Sequence, residues 1–258
     1  MALLLDKRRD EIQITEDVVT IIARKFSEKV MALLLDKRGA EIQITEDVIK
    51  AAAENEVRGE KVMALLLDKR GAEIQITGDV VKAAAGNWQS GEKVIALLLD
   101  KRGAEIQITK GIVKAVAANE NRGEKVMALL LDKRGAEIQI TEDVVIIIAR
   151  EFSEKVMALL LDKRGDEIQI TEGIVKAAAE SPACAQVVAL LSKRSKSETI
   201  AAITDSACFI AAACGQLDAL RYLCQQMPPA NVDPGWDSIA RFYHAAEHGD
   251  ADGIKRLL

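Results

Sequence analysis

One sequence block recurs along this chain and constrains its fold more than any other feature. The block MALLLDKR, with one IALLLDKR variant, begins at Met1, Met31, Met63, Ile95, Met127 and Met157. Successive copies are therefore separated by 30, 32, 32, 32 and 30 residues. A repeat of this length is one supersecondary unit that cannot bury its apolar face alone. The chain must therefore stack its copies on one another.

Each copy is predicted to contain two helices. Between Glu60 and Arg70, apolar residues cover about 200° of the first helix, including Leu65, when they are placed at helical steps. The second helix begins at Thr45, whose hydroxyl can cap it, and Glu46 and Asp47 follow in the first turn, where acidic side chains complement the helix dipole. Apolar faces this broad require several neighbours, which is typical of a solenoid.

The link between the two helices is predicted to be extended. Gly71 directly follows Arg70 and is expected to end the first helix as a C′ residue. The next segment, AEIQIT, alternates polar residues with Ile42 and Ile44 in the second copy, which predicts an extended link with one buried face. Because stacked helices are about 8–10 Å apart and paired strands about 4.8 Å, we expect these links to remain unpaired.

Composition and charge restrict the class of protein. With 49% hydrophobic, 29% charged and only 3% aromatic residues, the sequence predicts a soluble helical protein with an aliphatic core and excludes disorder and collagen. The formal net charge of −5 disfavours a nucleic-acid binder or a polybasic membrane anchor. Charge begins at Asp6, so the first residues offer no apolar stretch of the length that a signal peptide needs, and we expect no membrane span in the sequence. The four cysteines lack CxxC spacing, so we expect reduced thiols and a cytoplasmic location: Cys184, Cys208, Cys214 and Cys224.

The copies differ mainly in the loop after the second helix. Three loops are long and read ENEVR at 54–58, GNWQS at 86–90 and ANENR at 118–122, whereas two copies carry only RKF at 24–26 and REF at 150–152. In the short copies, isoleucines replace alanines and a phenylalanine follows, so we expect added volume to compensate for a two-residue deletion: Ile21, Ile22, Ile147, Ile148, Phe26 and Phe152.

Variable loops on one edge of a regular array are where repeat proteins commonly bind their partners. Drift of exposed loops would produce the same variation without any function. On the first interpretation the candidate partner-binding residues are Glu54, Asn55, Glu56, Val57, Arg58, Asn87, Trp88, Gln89, Asn119, Glu120, Asn121 and Arg122. Among these, Trp88 is either an interface anchor or a cover for a neighbouring loop.

The C-terminal segment has a different pattern. Residues 207–226 and 240–258 each contain an Ala-Ala pair, a glycine at a turn and a leucine-containing second helix, and Gly215 and Gly249 are 34 residues apart. This pattern resembles the ankyrin repeat, in which His244 would occupy the family's histidine position. The block VVALLSKR at 187–194 continues the upstream spacing before the pattern is lost. We therefore expect residues 181–258 to hold a degenerate seventh repeat followed by two ankyrin-like repeats.

The six upstream copies, which span residues 1–180, resemble the LLL-D-[KR]-R-G-[DA]-E-[IV]-x-IT repeats of long fungal proteins. Those proteins often carry a nucleotide-binding switch domain, so the resemblance implies the sensor region of an innate-immunity-like receptor. Because the chain begins inside a first helix and ends inside a last one, we expect a fragment of a longer intracellular protein. The predicted fold is all-α, a right-handed α-solenoid of stacked helix–loop–helix repeats with an ankyrin-like C-terminal part.

Motifs that suggest chemistry have simpler explanations. The HAAEH motif at 244–248 matches the order of one metallopeptidase class, but only ten residues follow it, and the ankyrin-like pattern accounts for His244. No phosphate-binding GxxxxGK[ST] motif is present. A Lys-Arg pair recurs in every copy and raises the possibility of modular RNA binding, but each pair lies beside an aspartate at a helix C-terminus, where basic residues complement the dipole.

We therefore expect a non-catalytic scaffold for protein recognition, with no catalytic, cofactor or metal site and an unidentified protein or peptide partner. The competing hypothesis is a structural array or spacer that self-associates through its terminal repeats. An RNA-binding helical repeat is a third alternative, which the negative charge and the lack of stacking aromatics disfavour.

Overall fold

The computed structural model describes residues 13–181, 186–188, 190–191 and 235–247, together with single positions at 208, 211, 217, 220, 221, 224 and 256. The regular secondary structure of these residues is entirely helical, which confirms the predicted all-α class. The chain divides into two compact units, residues 1–138 and 139–258.

The described helices follow the predicted repeat in both units. In the first unit they are α1 (Glu16–Lys25), α2 (Glu28–Arg38), α3 (Glu46–Ala53), α4 (Gly59–Arg70), α5 (Gly78–Gly86), α6 (Gly91–Arg102), α7 (Lys110–Ala117) and α8 (Gly123–Arg134). In the second unit they are α9 (Glu142–Glu151), α10 (Glu154–Arg164), α11 (Glu172–Glu180) and α12 (Gly235–Glu247).

The helices of the first unit form two layers. The second helices of the repeats, α1, α3, α5 and α7, pack side by side in one layer, and the first helices, α2, α4, α6 and α8, do so in the other. Across each long loop a second helix packs on the first helix that follows it, as α5 does on α6. Each pair that packs across a loop therefore combines the second helix of one copy with the first helix of the next copy.

Aliphatic side chains fill the space between these layers. In α4, Val62, Met63 and Leu66 are fully buried, whereas Leu65, which the predicted apolar arc included, is only half-buried. The three alanines of α3, residues 51–53, are completely buried, so this helix lies against its neighbours with little side-chain volume between the backbones.

Glycine at the start of a first helix permits an equally close approach across the loop. A Cβ atom on Gly91 would lie 2.4 Å from the carbonyl oxygen of Ala84, and one on Gly123 would lie 2.2 Å from that of Val116. Real Cβ contacts are never this short, so only glycine fits at these two positions.

The links between the first and second helices of each copy are not extended in their first half, although the sequence predicts an extended backbone for their whole length. Each begins with one 3-10 turn, at Gly39–Glu41, Gly71–Glu73, Gly103–Glu105, Gly135–Glu137 and Gly165–Glu167. Gly71 directly follows the last residue of α4, as predicted, but its φ of −54° and ψ of −33° are right-handed, so it starts the 3-10 turn instead of adopting the left-handed backbone common at C′ glycines. After the turn the backbone is extended as predicted, with Ile42 and Ile44 buried, and no strand forms among the described residues.

Threonine caps start the second helices. The hydroxyl oxygens accept a hydrogen bond from the amide three residues later at Thr15, Thr45, Thr77, Thr141 and Thr171. When the second helix of the preceding repeat begins with a glutamate, the threonine hydroxyl also donates a hydrogen bond to that glutamate. Thr77, for example, donates to Glu46 at 2.6 Å. Thr109 makes no such cap hydrogen bond.

The two short copies use their phenylalanine differently. Phe152, in the second unit, is 4% exposed and fills volume as predicted, whereas Phe26, in the first unit, is 44% exposed. The prediction that Phe26 compensates for the deletion by packing is therefore wrong. Most of the predicted ankyrin-like region and seventh repeat lies outside the described residues, apart from α12 and the single positions.

Candidate functional site

The candidate site is the loop edge of the first unit, which we define by the four segments that connect a second helix to the next first helix. These are the first loop (26–27), the second loop (54–58), the third loop (86–90) and the fourth loop (118–122). All twelve predicted partner-binding residues lie in the last three loops, and Glu54 caps the C-terminus of α3 at the start of the second loop. The repeat places all of these loops after equivalent helices.

Three of the predicted binding residues belong to the framework instead. Asn55, Asn87 and Asn119 are 4%, 5% and 2% exposed, which removes them from the candidate surface. The side-chain amide of Asn87 donates to the carbonyl oxygens of Ala53 at 2.7 Å and Asn55 at 3.1 Å, both in the preceding repeat. Asn55 and Asn119 donate backwards in the same way.

The same asparagines also organise their own loops. Each side-chain oxygen accepts a hydrogen bond from the amide three residues later, at 2.9 Å for Arg58, 3.0 Å for Ser90 and 3.0 Å for Arg122. Because a buried polar group must be paired, this asparagine fixes both the fold of the loop and its position on the previous repeat. The residues between the asparagine and the next helix are therefore held on a rigid base.

Large apolar side chains are exposed on consecutive loops of this edge. Phe26 of the first loop is 44% exposed, Val57 of the second is 70% exposed and Trp88 of the third is 65% exposed. Only two other large hydrophobic side chains are exposed among the described residues, Ile21 on α1 and Ile239 on α12. Among the described residues of the first unit, the loop edge thus carries three of the four exposed large hydrophobic side chains.

Two open grooves lie between these loops. One, of about 590 Å³, runs between the first and second loops and is lined by Phe26, Val57 and charged neighbours. The other, of about 390 Å³, runs between the second and third loops and is lined by Glu54, Glu56, Lys82, Ala83, Gly86, Asn87 and Trp88.

Ion pairs join neighbouring loops at the rims of these grooves. Arg24 and Glu54 are 2.8 Å apart, and Arg122 and Glu92 are 3.3 Å apart. All four side chains are more than one third exposed, so each pair contributes at most about 1 kcal/mol to stability.

The side chains of the recurring Lys-Arg pairs bind to the preceding repeat. This role is more specific than the predicted complementation of the helix dipole. Arg102 donates to the carbonyl oxygens of Gly71 and Ile74, both at 3.0 Å, and to Glu105 of its own 3-10 turn. Arg70 does the same one repeat earlier. Lys101 pairs with Asp68 of the preceding repeat at 2.6 Å. These pairings reduce the positive charge available to a nucleic acid.

The Arg–Glu pairs lower the pKa of their carboxyl groups. Hydrogen bonds from Arg70, Arg102 and Arg164 hold the pKa of the glutamate three residues later below its ordinary value, at Glu73, Glu105 and Glu167. In the first unit, the pairs Arg70–Glu73 and Arg102–Glu105 lie at the C-terminal ends of the first helices, whereas the loops of the loop edge precede their N-terminal ends. They stabilise the links and have no part in the candidate site.

Other kinds of site find no support in the described part of the chain. No group of three or more metal-ligating side chains comes together there. His248 of the HAAEH motif lies outside the described residues. Among the described helices, none has the length and apolar character needed to cross a membrane.

Sequence reasoning found the loop edge but misjudged individual positions in it. It missed that Phe26 is exposed and that Asn55, Asn87 and Asn119 are buried. The 32-residue spacing of these asparagines was a usable signal, because a residue that recurs between variable neighbours belongs to the framework.

Comparison with known proteins identifies the repeat. The profile of a family described as "Domain of unknown function (DUF7104)" matches six consecutive segments, at residues 3–31, 33–63, 65–94, 97–127, 129–157 and 159–186. Neither the curated proteins nor the solved structures contain a significant match. The six matches cover most of the chain and coincide with the six copies of the LLLDKR block, so the chain belongs to the family of tandem repeats defined by this domain of unknown function.

Proposed function

We propose that this chain is a non-catalytic scaffold that recognises a protein or peptide partner through the loop edge. The observation that carries the proposal is the exposure of Phe26, Val57 and Trp88 on consecutive loops. Contiguous exposed apolar side chains are typical of interaction surfaces, and tryptophan is enriched among the residues that dominate binding energy. A partner that covers them removes apolar surface from water.

The framework beneath the loops supports the same proposal. Because Asn55, Asn87 and Asn119 fix each loop through buried hydrogen bonds, the exposed side chains need little further ordering when a partner binds. A binding surface that is rigid before association loses less conformational entropy. Variation in the exposed loop residues then changes the partner without changing the stack.

The wider architecture is part of the proposal. The two layers of the first unit support a right-handed α-solenoid, and the sequence pattern supports an ankyrin-like region at its C-terminus. The LLLDKRG-type motif supports a place in the sensor region of a larger cytoplasmic fungal protein, of the kind that carries a nucleotide-binding switch.

Peptide selection tests the proposal without a known partner. A phage-displayed library of random peptides is selected on the full chain, and the affinity of the enriched peptides is measured for a variant with Phe26→Ser, Val57→Ser and Trp88→Ser. A matched control carries Lys61→Ser and Lys93→Ser, at exposed positions on first helices. We expect at least about tenfold weaker binding to the loop-edge variant and unchanged binding to the control. Equal binding to both would show that the loop edge is not the recognition surface.

Self-association is the second candidate function. The observation that favours it is the regularity of the contacts, since Arg70 and Arg102, for example, make the same hydrogen bonds to the repeat before them. Light scattering coupled to size exclusion, over a dilution series, separates the two. Recognition predicts a 28.0 kDa monomer at all concentrations, whereas growth with concentration would favour a self-associating array.

A further inference from the structure

The groove between the second and third loops has a chemical character of its own. Trp88 forms one side, with its indole 65% exposed, and Glu54 and Glu56 come from the neighbouring loop. Gly86 and Ala83 also line the groove and add almost no side-chain volume. A Cβ atom on Gly86 would meet nothing within 4 Å, so this part of the groove is open.

The carboxylates of this groove are available to a positive ligand. Among the described residues nothing forms a hydrogen bond or ion pair with Glu56, and the side chain of Glu54 pairs only with Arg24, which does not line this groove. Lys82, the one cation that lines the groove, is 2.9 Å from Asp79, and this pairing lowers the pKa of Asp79. The local charge is therefore negative.

We propose that this groove binds an arginine side chain of a partner peptide, an inference that rests on the proposed recognition by the loop edge. The guanidinium group stacks on the exposed indole of Trp88 and donates hydrogen bonds to the carboxylates of Glu56 and Glu54. A planar cation that stacks on tryptophan and binds carboxylates in a forked geometry fits both features, which a compact ammonium matches less well.

Other side chains fit the groove less well. A carboxylate would be repelled by Glu54 and Glu56, because like charges at short range are unfavourable. A purely apolar side chain would cover Trp88 but would remove Glu56 from water without a partner, which carries a desolvation penalty. Arginine avoids both penalties, because its aliphatic stem and guanidinium plane cover the indole while its charge satisfies the carboxylate.

The test uses the peptides selected on the full chain. The proposal predicts that the enriched sequences contain arginine and that replacing it by citrulline, which has the same shape without the charge, weakens binding about tenfold. Glu56→Gln should weaken binding about threefold, because the carboxylate is exposed, and Trp88→Ala at least about tenfold. The affinity should also fall as salt is added.

A matched control comes from the fourth loop. Glu120 directly follows Asn119 as Glu56 follows Asn55, yet it lies outside this groove. Glu120→Gln should therefore leave the affinity unchanged. Equal losses for Glu56→Gln and Glu120→Gln would overturn the proposal, because they would indicate a general effect of surface charge.

The outcomes separate this inference from the proposed function. Peptides that require Trp88 and Val57 but contain no arginine, or tolerate citrulline, would overturn the arginine site and leave recognition by the loop edge intact. Peptides that bind equally well without any loop-edge side chain, or a failure to enrich any peptide, would count against both. Arginine peptides sensitive to Glu56→Gln and to citrulline would support both.

Discussion

At the scale of single residues, buried and exposed side chains lie next to each other in one loop, and we assign stability to the buried ones and propose recognition for the exposed ones. In the third loop, Asn87 and Ser90 point inwards and are buried, while Trp88 and Gln89 point outwards. Ser90 donates to the carbonyl oxygen of Asn55 at 2.8 Å and so repeats the backward contact that Asn87 makes. Substitutions at adjacent residues should therefore have opposite effects on folding and on binding.

Asn87→Ala should lower the free energy of unfolding by about 1–3 kcal/mol, because it leaves the buried carbonyl oxygen of Ala53 without this donor. The exposed neighbour supplies the control, since Gln89→Ala should change stability by less than about 0.5 kcal/mol. Urea unfolding followed by circular dichroism measures both. Equal effects would contradict the assignment of Asn87 to the framework.

Two glycines at opposite ends of first helices should respond oppositely to alanine. Gly91→Ala should lower the free energy of unfolding by about 1–3 kcal/mol, because the new Cβ would overlap the carbonyl oxygen of Ala84. Gly71→Ala should be neutral or raise it by up to about 1 kcal/mol, because its backbone is right-handed and its surroundings are open. Loss of stability in both variants by the same amount would contradict the close approach at Gly91. Denaturant midpoints of the two variants provide the comparison.

At the scale of elements, the sequence predicted the helices well and the links only in part. The apolar periodicity and the threonine cap sufficed for α3 and α4, because both are local signals. The 3-10 turn at Gly71–Glu73 depends on a contact that is distant in sequence, since Arg102 of the next repeat donates to the carbonyl oxygen of Gly71. Periodicity within one copy could not reveal this hydrogen bond, and the same holds for the asparagines that reach across repeats.

Threonine caps allow a test of this element-level description. Thr77→Ala should lower the free energy of unfolding by about 1 kcal/mol, because Thr77 accepts from the amide of Val80 and donates to Glu46. Thr109→Ala should have a smaller effect, because Thr109 makes no cap hydrogen bond and Gly78 stands where a glutamate would accept a hydrogen bond from its hydroxyl. Thermal and urea unfolding of the two variants would show the difference. A larger loss at Thr109 would contradict the account.

The Arg–Glu pairs of the links predict a dependence on pH. The pKa values of Glu73, Glu105 and Glu167 are lowered from the ordinary value of 4.5 by hydrogen bonds from arginine. A carboxyl group whose pKa is lowered by folding stabilises the folded state fully when the pH is above the pKa of the unfolded state. This stabilisation is lost as the pH falls through the pKa of the folded state. The free energy of unfolding should therefore decline below pH 4.5, and the triple Glu→Gln variant should decline less steeply. Urea unfolding at a series of acidic pH values measures how steeply the free energy of unfolding declines in each protein. Parallel declines would contradict the assignment of this pH dependence to the Arg–Glu pairs.

At the scale of the whole molecule, repetition determines most of what was predictable. Six copies of one block were sufficient to predict an all-helical stack, and the two layers of the first unit agree with it. The location of variable loops on a common edge was also predictable, because equivalent loops follow equivalent helices. Which loop residues face solvent was not, since Phe26 and Phe152 occupy equivalent positions yet differ in exposure from 44% to 4%. That difference depends on the residues that surround each phenylalanine, and the sequence of a single copy does not show which residues these are.

The central claim is that the loop edge is the recognition surface, and hydrogen–deuterium exchange with a selected peptide tests it most directly. Amide exchange of the full chain is compared with and without saturating peptide. The account predicts slower exchange concentrated at residues 54–59 and 86–91, with little change on the exposed faces of α4 and α6. Protection confined to those faces or to residues 142–180, with the loops unchanged, would contradict it.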